Sequence, residues 1–292
     1  MVLGANGYLG SHMAHYLENS GWRVRDCDVQ DKSARGASDY SPLDILQAGD
    51  LKEIDWNVDC VFMFAGITGT FSGFDHYERF VALNELGLLN VLHGIRQSSQ
   101  RPRIVYPSSR LVYRGADLPL REDDPKEAKT IYAVNKNACE GILEAYRNSF
   151  AIPYTVYRIC VPYGNDLGGD YSYGTIGSFF RQARQAGTIR LFGDGSLRRT
   201  FTHVEDICGQ IIGSCCHERS ANQVYNIGGE EFSLKEIAMR IAIKYHAELV
   251  LADWPDKDLR IESGHTVFAA GKIQGAFHLG LRRSFAEWLA RI

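Results

Sequence analysis

Tyr132 and Lys136, four residues apart in Tyr-Ala-Val-Asn-Lys, are the pair in this chain best suited to act together chemically. At that spacing both side chains leave one face of a helix a turn apart, where an ammonium lowers the pKa of a nearby phenol. A free phenol titrates near ~10 and is a poor base at neutral pH, so the lysine is what turns the tyrosine into a proton-transfer group. Ser109, upstream, offers a second hydroxyl to the same substrate oxygen. In a chain with 15 tyrosines the pair also arises from composition alone, on an ordinary surface helix, so its meaning depends on the elements around it.

The chain opens Met1-Val-Leu-Gly4-Ala-Asn6-Gly7-Tyr8-Leu9-Gly10 and continues as an amphipathic helix to Gly21. Glycines at 4, 7 and 10 between an apolar run and a helix allow a tight turn, close approach of a pyrophosphate to the backbone, and close helix packing. The helix N-terminus then faces the phosphates. Only three residues precede Gly4, fewer than the ~5–6 of a usual strand, which points to Met1 as a truncated or misassigned start. Trp22–Asp28 reads as a second strand ending in an acid, and Asp28 follows Gly10 at about the interval that reaches the adenosine ribose hydroxyls. A carboxylate there repels a 2′-phosphate and the glycine loop holds no arginine, so NAD is the expected cofactor. Arg25, Lys32 and Arg35 are the groups that would reverse this preference.

Further elements place the serine and the tyrosine. Ser41–Ile45 leads into a short helix. Cys60–Phe64 is a continuous apolar run of the buried parallel-strand type, followed by Ala65-Gly66, small enough for a cofactor to lie against. Residues 77–97 carry apolar side chains at helical period. Arg103–Tyr106 forms a strand that delivers Ser108 and Ser109 at its carboxyl end, where ligands bind in doubly wound sheets. After a loop marked by Pro119 and Pro125, the Tyr132 helix runs to about Ser149, and Tyr154–Ile159 is again a strand. This alternation predicts an α/β fold, a Rossmann-type doubly wound parallel sheet with helices on both faces. From Pro162 the character changes: glycines and tyrosines crowd 163–177, either a ligand-covering stretch or a long loop. A helix to about Gln185, a strand at Ile189–Phe192, the turn Gly193-Asp194-Gly195, and a capping box at Ser233–Glu236 opening a helix to Tyr245 follow. The expected division is a dinucleotide-binding domain, 1–162, and a smaller, interleaved substrate lobe, 163–292, with 201–228 packing back on the first.

Composition narrows the partners. A net charge of −3 without runs of like charge argues against nucleic acid or a membrane surface and for a small polar ligand. No segment approaches the roughly twenty apolar residues of a membrane span, and the N-terminus has no signal-peptide pattern. Seven cysteines without CxxC or zinc-type Cys/His spacing read as reduced residues of a cytoplasmic protein, with no metal site expected. Cys215-Cys216 reads as the end of an ordinary helix, and His203 as a packed structural histidine.

The glycines at 4, 7 and 10, Asp28, Ser109, Tyr132 and Lys136, in this order, resemble the extended short-chain dehydrogenase/reductase family, specifically its nucleotide-sugar epimerases, dehydratases and reductases. The likeness spans essentially the whole chain. It continues through Asp44-Ile45, Asn84, Val112-Tyr113, Tyr163-Gly164, the Gly193-Asp194-Gly195…Arg199…Val204-Glu205-Asp206 segment and Tyr225–Gly229. The resemblance implies that Tyr132 is base and acid on a sugar hydroxyl, that Lys136 holds the nicotinamide ribose, and that Ser109 binds the reacting oxygen. It implies a cofactor shell of Gly4, Asn6, Gly7, Tyr8, Leu9, Gly10, Asp28, Asp44, Ile45, Phe64, Ala65, Gly66, Asn84 and Ser108. On the substrate side it implies Thr68, Ser109, Arg199 and Arg260, the two arginines on the diphosphate of a nucleotide-diphosphate sugar. It further implies a homodimer in which the 77–97 and 132–149 helices form a four-helix bundle through Leu86, Leu89, Ile142 and Leu143.

Three departures from the pattern bear on function. Val161-Pro162 stands where the family has Asn before Tyr-Gly, Ala270 replaces a late Asp, and Arg110-Leu111 follow Ser109 where sugar dehydratases carry two acids. Elimination therefore lacks its acid. The expected activity is NAD-dependent epimerisation at carbon 4 through a transient keto sugar. The alternatives are an NAD(P)H-dependent reductase of a 4-keto deoxysugar nucleotide and a non-catalytic dinucleotide-sensing protein, the latter disfavoured because Tyr132 and Lys136 are both kept.

Overall fold

Cys60–Met63 and Tyr154–Ile159 are buried at every position, as parallel strands between two helical layers must be. A computed structural model, describing residues 1–168 and 173–292, places them in a seven-stranded parallel sheet. In chain order the strands are β1 (Val2–Leu3), β2 (Asp26–Asp28), β3 (Tyr40–Pro42), β4 (Cys60–Met63), β5 (Arg103–Ser109), β6 (Tyr154–Ile159), β7 (Val161–Tyr163), β8 (Thr188–Phe192), β9 (Arg198–His203), β10 (Gln223–Asn226), β11 (Glu230–Ser233) and β12 (Glu248–Ala252). The large sheet runs β3-β2-β1-β4-β5-β6-β10. Its order reverses between β1 and β4, and a crevice opens at the carboxyl ends of strands flanking such a switch point. The second strand begins at Asp26 rather than Trp22, because its neighbours β1 and β3 supply only two and three partner residues.

Alternation along β4 shows how the two layers are filled. Val61 and Met63 point to the side covered by the Gly87–Gln97 and Ile131–Phe150 helices, packing with Leu88, Val91, Leu92 and Leu143. Cys60 and Phe62 point to the other side, against Met13 and Leu17 of the Tyr8–Asn19 helix and Ile207 and Ile211 of the Val204–Cys215 helix. Thus the segment after β9 returns to the large sheet, covering one face with a helix and adding β10 at its edge. A separate core of Phe180, Phe201, Ile237, Ile241, Phe285 and Trp288 holds the lobe, in which β7, β9 and β11 form one small sheet and β8 and β12 another. Ser233 opens the Leu234–Tyr245 helix with the anticipated capping box. Among the described residues no helix is long and apolar enough to cross a membrane.

The 77–97 segment is not one regular helix. Tyr77–Val81 and Gly87–Gln97 are α-helical, and Ala82–Leu86 between them is a π-turn, a feature frequent at functional sites. Its inserted residue turns Asn84 inward toward the loop that follows β4. The stretch 163–177 includes residues 169–172, which lie outside those described.

Candidate active site

Two glycines of the first turn are required by geometry. Gly4 has φ +84°, and a Cβ there would stand 2.5 Å from the Ala65 nitrogen; one on Gly10 would stand 2.0 Å from the Gly4 carbonyl oxygen. The loop therefore packs directly on the end of β4. Gly7 caps the Tyr8–Asn19 helix without a side chain, leaving the first-turn N–H groups facing outward as an anion-binding helix end does. Asp28, at the tip of β2, turns its carboxylate back to this loop, where Oδ2 accepts from the Asn6 N–H at 3.0 Å. Asn6 in turn holds the 30–34 turn by accepting from Ala34 N–H and donating to the Lys32 carbonyl. Arg35 is committed elsewhere: it bonds Asp26 at 2.6 Å and forks onto Glu18. Arg25 donates to the Asp55 carbonyl. Two of the three cations that would favour a 2′-phosphate are thus engaged.

A cleft of about 440 Å³ opens at the switch point, lined by Gly7, Tyr8, Leu9 and Gly10, by 64–70, Asn84, 107–111, Tyr132, Lys136, 159–162 and 173–175. Asn84 clamps its floor: Oδ1 accepts from the Ile67 N–H at 2.9 Å and Nδ2 donates to the Ile67 carbonyl at 3.1 Å. Thr68 lines the same wall and hydrogen-bonds Tyr173, whose ring stacks on Tyr8 with centroids 4.5 Å apart. Tyr8 also reaches across to the lobe, donating to the Gly164 carbonyl at 2.7 Å.

Thr130 caps the next helix by accepting from Ala133 N–H, which sets Tyr132 and Lys136 in the first turns of Ile131–Phe150, directly over the end of β5. Both serines at that strand end reach the same helix, at different partners. Ser108 donates to Glu140 at 2.6 Å, while Ser109 accepts from Leu111 N–H at 3.2 Å and hydrogen-bonds Tyr132. The Ser109–Tyr132 bond favours the charged form of the phenol, as a Ser109 O–H donating to it does. Lys136 Nζ donates to the Pro107 carbonyl at 2.7 Å, 4.4 Å from the Tyr106 ring centre and 5.7 Å from that of Tyr132.

Electrostatics differ from the simplest expectation. Burial pushes the Tyr132 phenol up and the nearby Tyr173 adds to this, while the Ser109 hydrogen bond opposes both. Burial likewise lowers Lys136, to about 8. In the protein alone the lysine is thus itself destabilised as a cation, and desolvation outweighs any lowering of the phenol.

Two arginines meet at the far wall of the cleft: Arg110 lines it, and Arg199 is buried beside Arg110, outside the lining. Arg199 is 4% exposed, its Nη2 donates to Glu262 at 2.7 Å, and its buried Nε has no hydrogen-bond partner among the described residues. Arg110, which lines the cleft beside Ser109, is lowered to about 10 by burial and then by the charge of Arg199. Glu262 is held below the usual carboxylate range because, against its burial, Arg199 and Arg110 favour the charged form. Two guanidinium groups facing one carboxylate leave a net positive charge out of water, which suits an anionic ligand.

Several expected residues are not brought to this cleft. Arg260 lies exposed on the Asp256–Ile261 helix. Asp44 turns its carboxylate onto Leu46 N–H, and Ile45 is buried in the core with its carbonyl bonded by Asn90. Gly4, Asn6 and Asp28 do not line the cleft; the Asp28 carboxylate is bonded to the Asn6 N–H of the glycine loop. His203 is buried, caps the Val204–Cys215 helix by accepting from Glu205 N–H, and packs on Tyr163 and Trp288. Sequence reasoning missed Arg110 as a ligand group, Tyr173, and Glu140. Glu140 had a signal: it continues the Tyr132/Lys136 face, and Arg158 in an otherwise apolar strand demands a buried acid. Arg158 bonds Glu140 at 2.6 Å and 3.0 Å, Lys126 joins at 3.0 Å, and Tyr113 links Arg158 to Asn226.

A doubly wound sheet with a glycine turn, a strand-end acid and a serine, tyrosine and lysine at its switch point defines a dinucleotide-dependent enzyme of the short-chain dehydrogenase type. The chain belongs to the NAD-dependent epimerase/dehydratase family, whose sequence profile matches residues 1–228. Among curated relatives, it is similar to a UDP-N-acetyl-alpha-D-glucosaminuronate decarboxylase of Bacillus cytotoxicus, 27% identical over 87% of this chain and 83% of that protein. It is also similar to a dTDP-L-rhamnose 4-epimerase of Burkholderia thailandensis, 26% identical over 85% and 81%. A solved structure of the epimerase Mth375 from Methanothermobacter thermautotrophicus superimposes with a TM-score of 0.88 at 25% identity, covering 99% of this chain and 89% of that one.

Proposed function

We propose that this chain is an NAD-dependent enzyme that epimerises a nucleotide-diphosphate sugar at carbon 4. The observation that carries the reading is the Ser109–Tyr132 hydrogen bond beside Lys136 at the switch-point cleft, with Arg110 and Leu111 where elimination would need acids. The residues present fit the cofactor. The N–H groups of 7–10 suit its pyrophosphate, Asp28 at the tip of β2 its adenosine ribose, and Lys136 its nicotinamide ribose, while Ala65 and Gly66, after Phe64, are small enough for it to lie against. When bound there, NAD would supply the hydride acceptor for the sugar carbon and the source from which the hydride returns to the opposite face.

The chain's own groups handle the proton. Ser109 fixes the reacting oxygen by donating to it, and Tyr132 takes the hydroxyl proton and later gives it back. Burial favours the neutral phenol, so the base form needed for the first transfer depends on neighbouring positive charge, and the proton then taken up makes Tyr132 the acid of the return step. The ammonium of Lys136 beside it stabilises the phenolate that must exist before the first transfer and is formed again after the second. Arg110 and Arg199 hold the anionic part of the substrate, and Thr68 and Tyr173 close the side nearest the sugar. The relatives act on UDP- and dTDP-sugars, which supports a nucleotide-sugar substrate.

Incubating the protein without added reductant with UDP- and dTDP-sugars that differ at carbon 4, followed by proton NMR, tests the reading: interconversion of the epimers is expected. Conversion of a 4-keto sugar in proportion to reduced cofactor consumed would establish the reductase instead, and binding of NAD without any turnover the sensing protein.

We also propose a homodimer through the helices at 77–97 and 131–150. Tyr77, Val81, Leu86 and Val134 are large apolar residues exposed on these segments, which supports a buried face there. Leu143, expected on that face, is instead buried against the sheet, and Leu89 and Ile142 are half-buried. A monomer mass by light scattering at micromolar concentration would reject the dimer. Seven free cysteines fit a reducing compartment, so the cytoplasm is the proposed location.

A further inference from the structure

Cys215 ends the Val204–Cys215 helix and Cys216 follows as its cap, while Cys60 opens β4 at the amino-terminal edge of the sheet, far from the catalytic cleft. The fold brings the three sulfurs within 4.8 Å of one another, with Cys60 Sγ and Cys216 Sγ 3.7 Å apart. Thiolates that share one ion at about 2.3 Å each stand roughly 3.8 Å from one another, so these sulfurs are already near ligating separation. Cys60 and Cys215 are buried and Cys216 is exposed, which gives an enclosed half and an entrance.

We propose that Cys60, Cys215 and Cys216 form a three-thiolate site for a soft, thiophilic cation of the Zn²⁺ or Cd²⁺ type, with solvent in the fourth position. Binding exchanges three thiol protons, released to water, for one dication, and the resulting single negative charge has its counterion in place. Arg103 donates to the carbonyl oxygens of Cys215 and His217 and to Ser220 Oγ, so it fixes the turn that presents the cysteines and sets a guanidinium beside them. The helix carboxyl end, with its partial negative charge, further favours a cation. The ion would clip the start of β4 to the helix that covers it, an effect on stability and not on turnover.

The test is a titration of the reduced protein with Cd²⁺, read by sulfur-to-cadmium charge-transfer absorption and by the thermal midpoint. The expected result is a band that saturates at one equivalent per chain with a rise in the midpoint, both lost in Cys216→Ser and Cys60→Ser. Both should persist in Cys208→Ser, which alters a cysteine of the same helix outside the cluster. Cys216 is exposed, so its variant folds and decides the matter even if Cys60→Ser does not. No band at one equivalent, a band unchanged in Cys216→Ser, or an equal loss in Cys208→Ser would overturn the proposal.

Discussion

Replacing Tyr132 by Phe removes one oxygen from a buried ring and separates catalysis from folding. The lost hydroxyl has one bonded neighbour in the protein, Ser109, and Ser109 keeps its bond from Leu111 N–H. The variant removes the acceptor of the Ser109 proton, but Ser109 lines the cleft, where water replaces it, so stability should change by no more than about 1 kcal/mol, the usual net worth of a neutral hydrogen bond. The ring still packs at its 9% exposure, so NAD affinity should also hold. Turnover is another matter: a positioned acid/base contributes ~10²–10⁴-fold, or about 2.7–5.5 kcal/mol of barrier. Ser109→Ala should lower turnover as well, and the double variant should fall little further than Tyr132→Phe, because both hydroxyls serve one oxygen. The assay is the initial rate on the identified sugar nucleotide, with urea unfolding and NAD calorimetry alongside. Near wild-type turnover in Tyr132→Phe, or strictly multiplicative losses in the double variant, would refute the assignment.

Glu140→Gln should destabilise the fold by about 3–5 kcal/mol in urea unfolding, because it leaves Arg158, 2% exposed, as an uncompensated buried charge; a loss below about 1 kcal/mol would contradict the buried pairing. Turnover should fall as pH rises through about 8, where Lys136 loses its proton, and Lys136→Arg should push this alkaline limb upward. The same lowered pKa makes the unfolded chain bind the extra proton between about 8 and 10.5, so this group's contribution to stability rises with pH across that window. Asp28→Ala should narrow the preference for NAD over NADP in calorimetry on cofactor-free protein, and tighter NADP binding by the unaltered chain would point to the reductase.

The sheet was readable because its signals are local: apolar runs such as Cys60–Phe64, the glycine turn, and the serine pair at the end of β5. The Tyr132/Lys136 helix was readable for the same reason, its cap and period lying within one segment. What stayed hidden depends on pairings across the chain. Asn84 gains its place from a π-turn that no period announces, and its partner, Ile67, lies in another loop. Arg110 read only as a missing acid until Arg199 and Glu262 came beside it. Arg260 matched by order along the chain, yet the turn of its short helix leaves it in solvent. Cys215-Cys216 looked like an ordinary helix end because Cys60, the third sulfur, belongs to a strand far upstream.

Redox-neutral epimerisation at carbon 4 is tested most directly by following one atom. A sugar nucleotide deuterated at carbon 4 is incubated with the enzyme in ordinary water without added reductant, and the product is analysed by NMR and mass spectrometry. The account predicts the carbon-4 epimer with deuterium retained at carbon 4 and no proton taken from solvent at any ring carbon. Product that carries solvent hydrogen at carbon 5, loses carbon dioxide or water, or forms only with reduced cofactor supplied would contradict it.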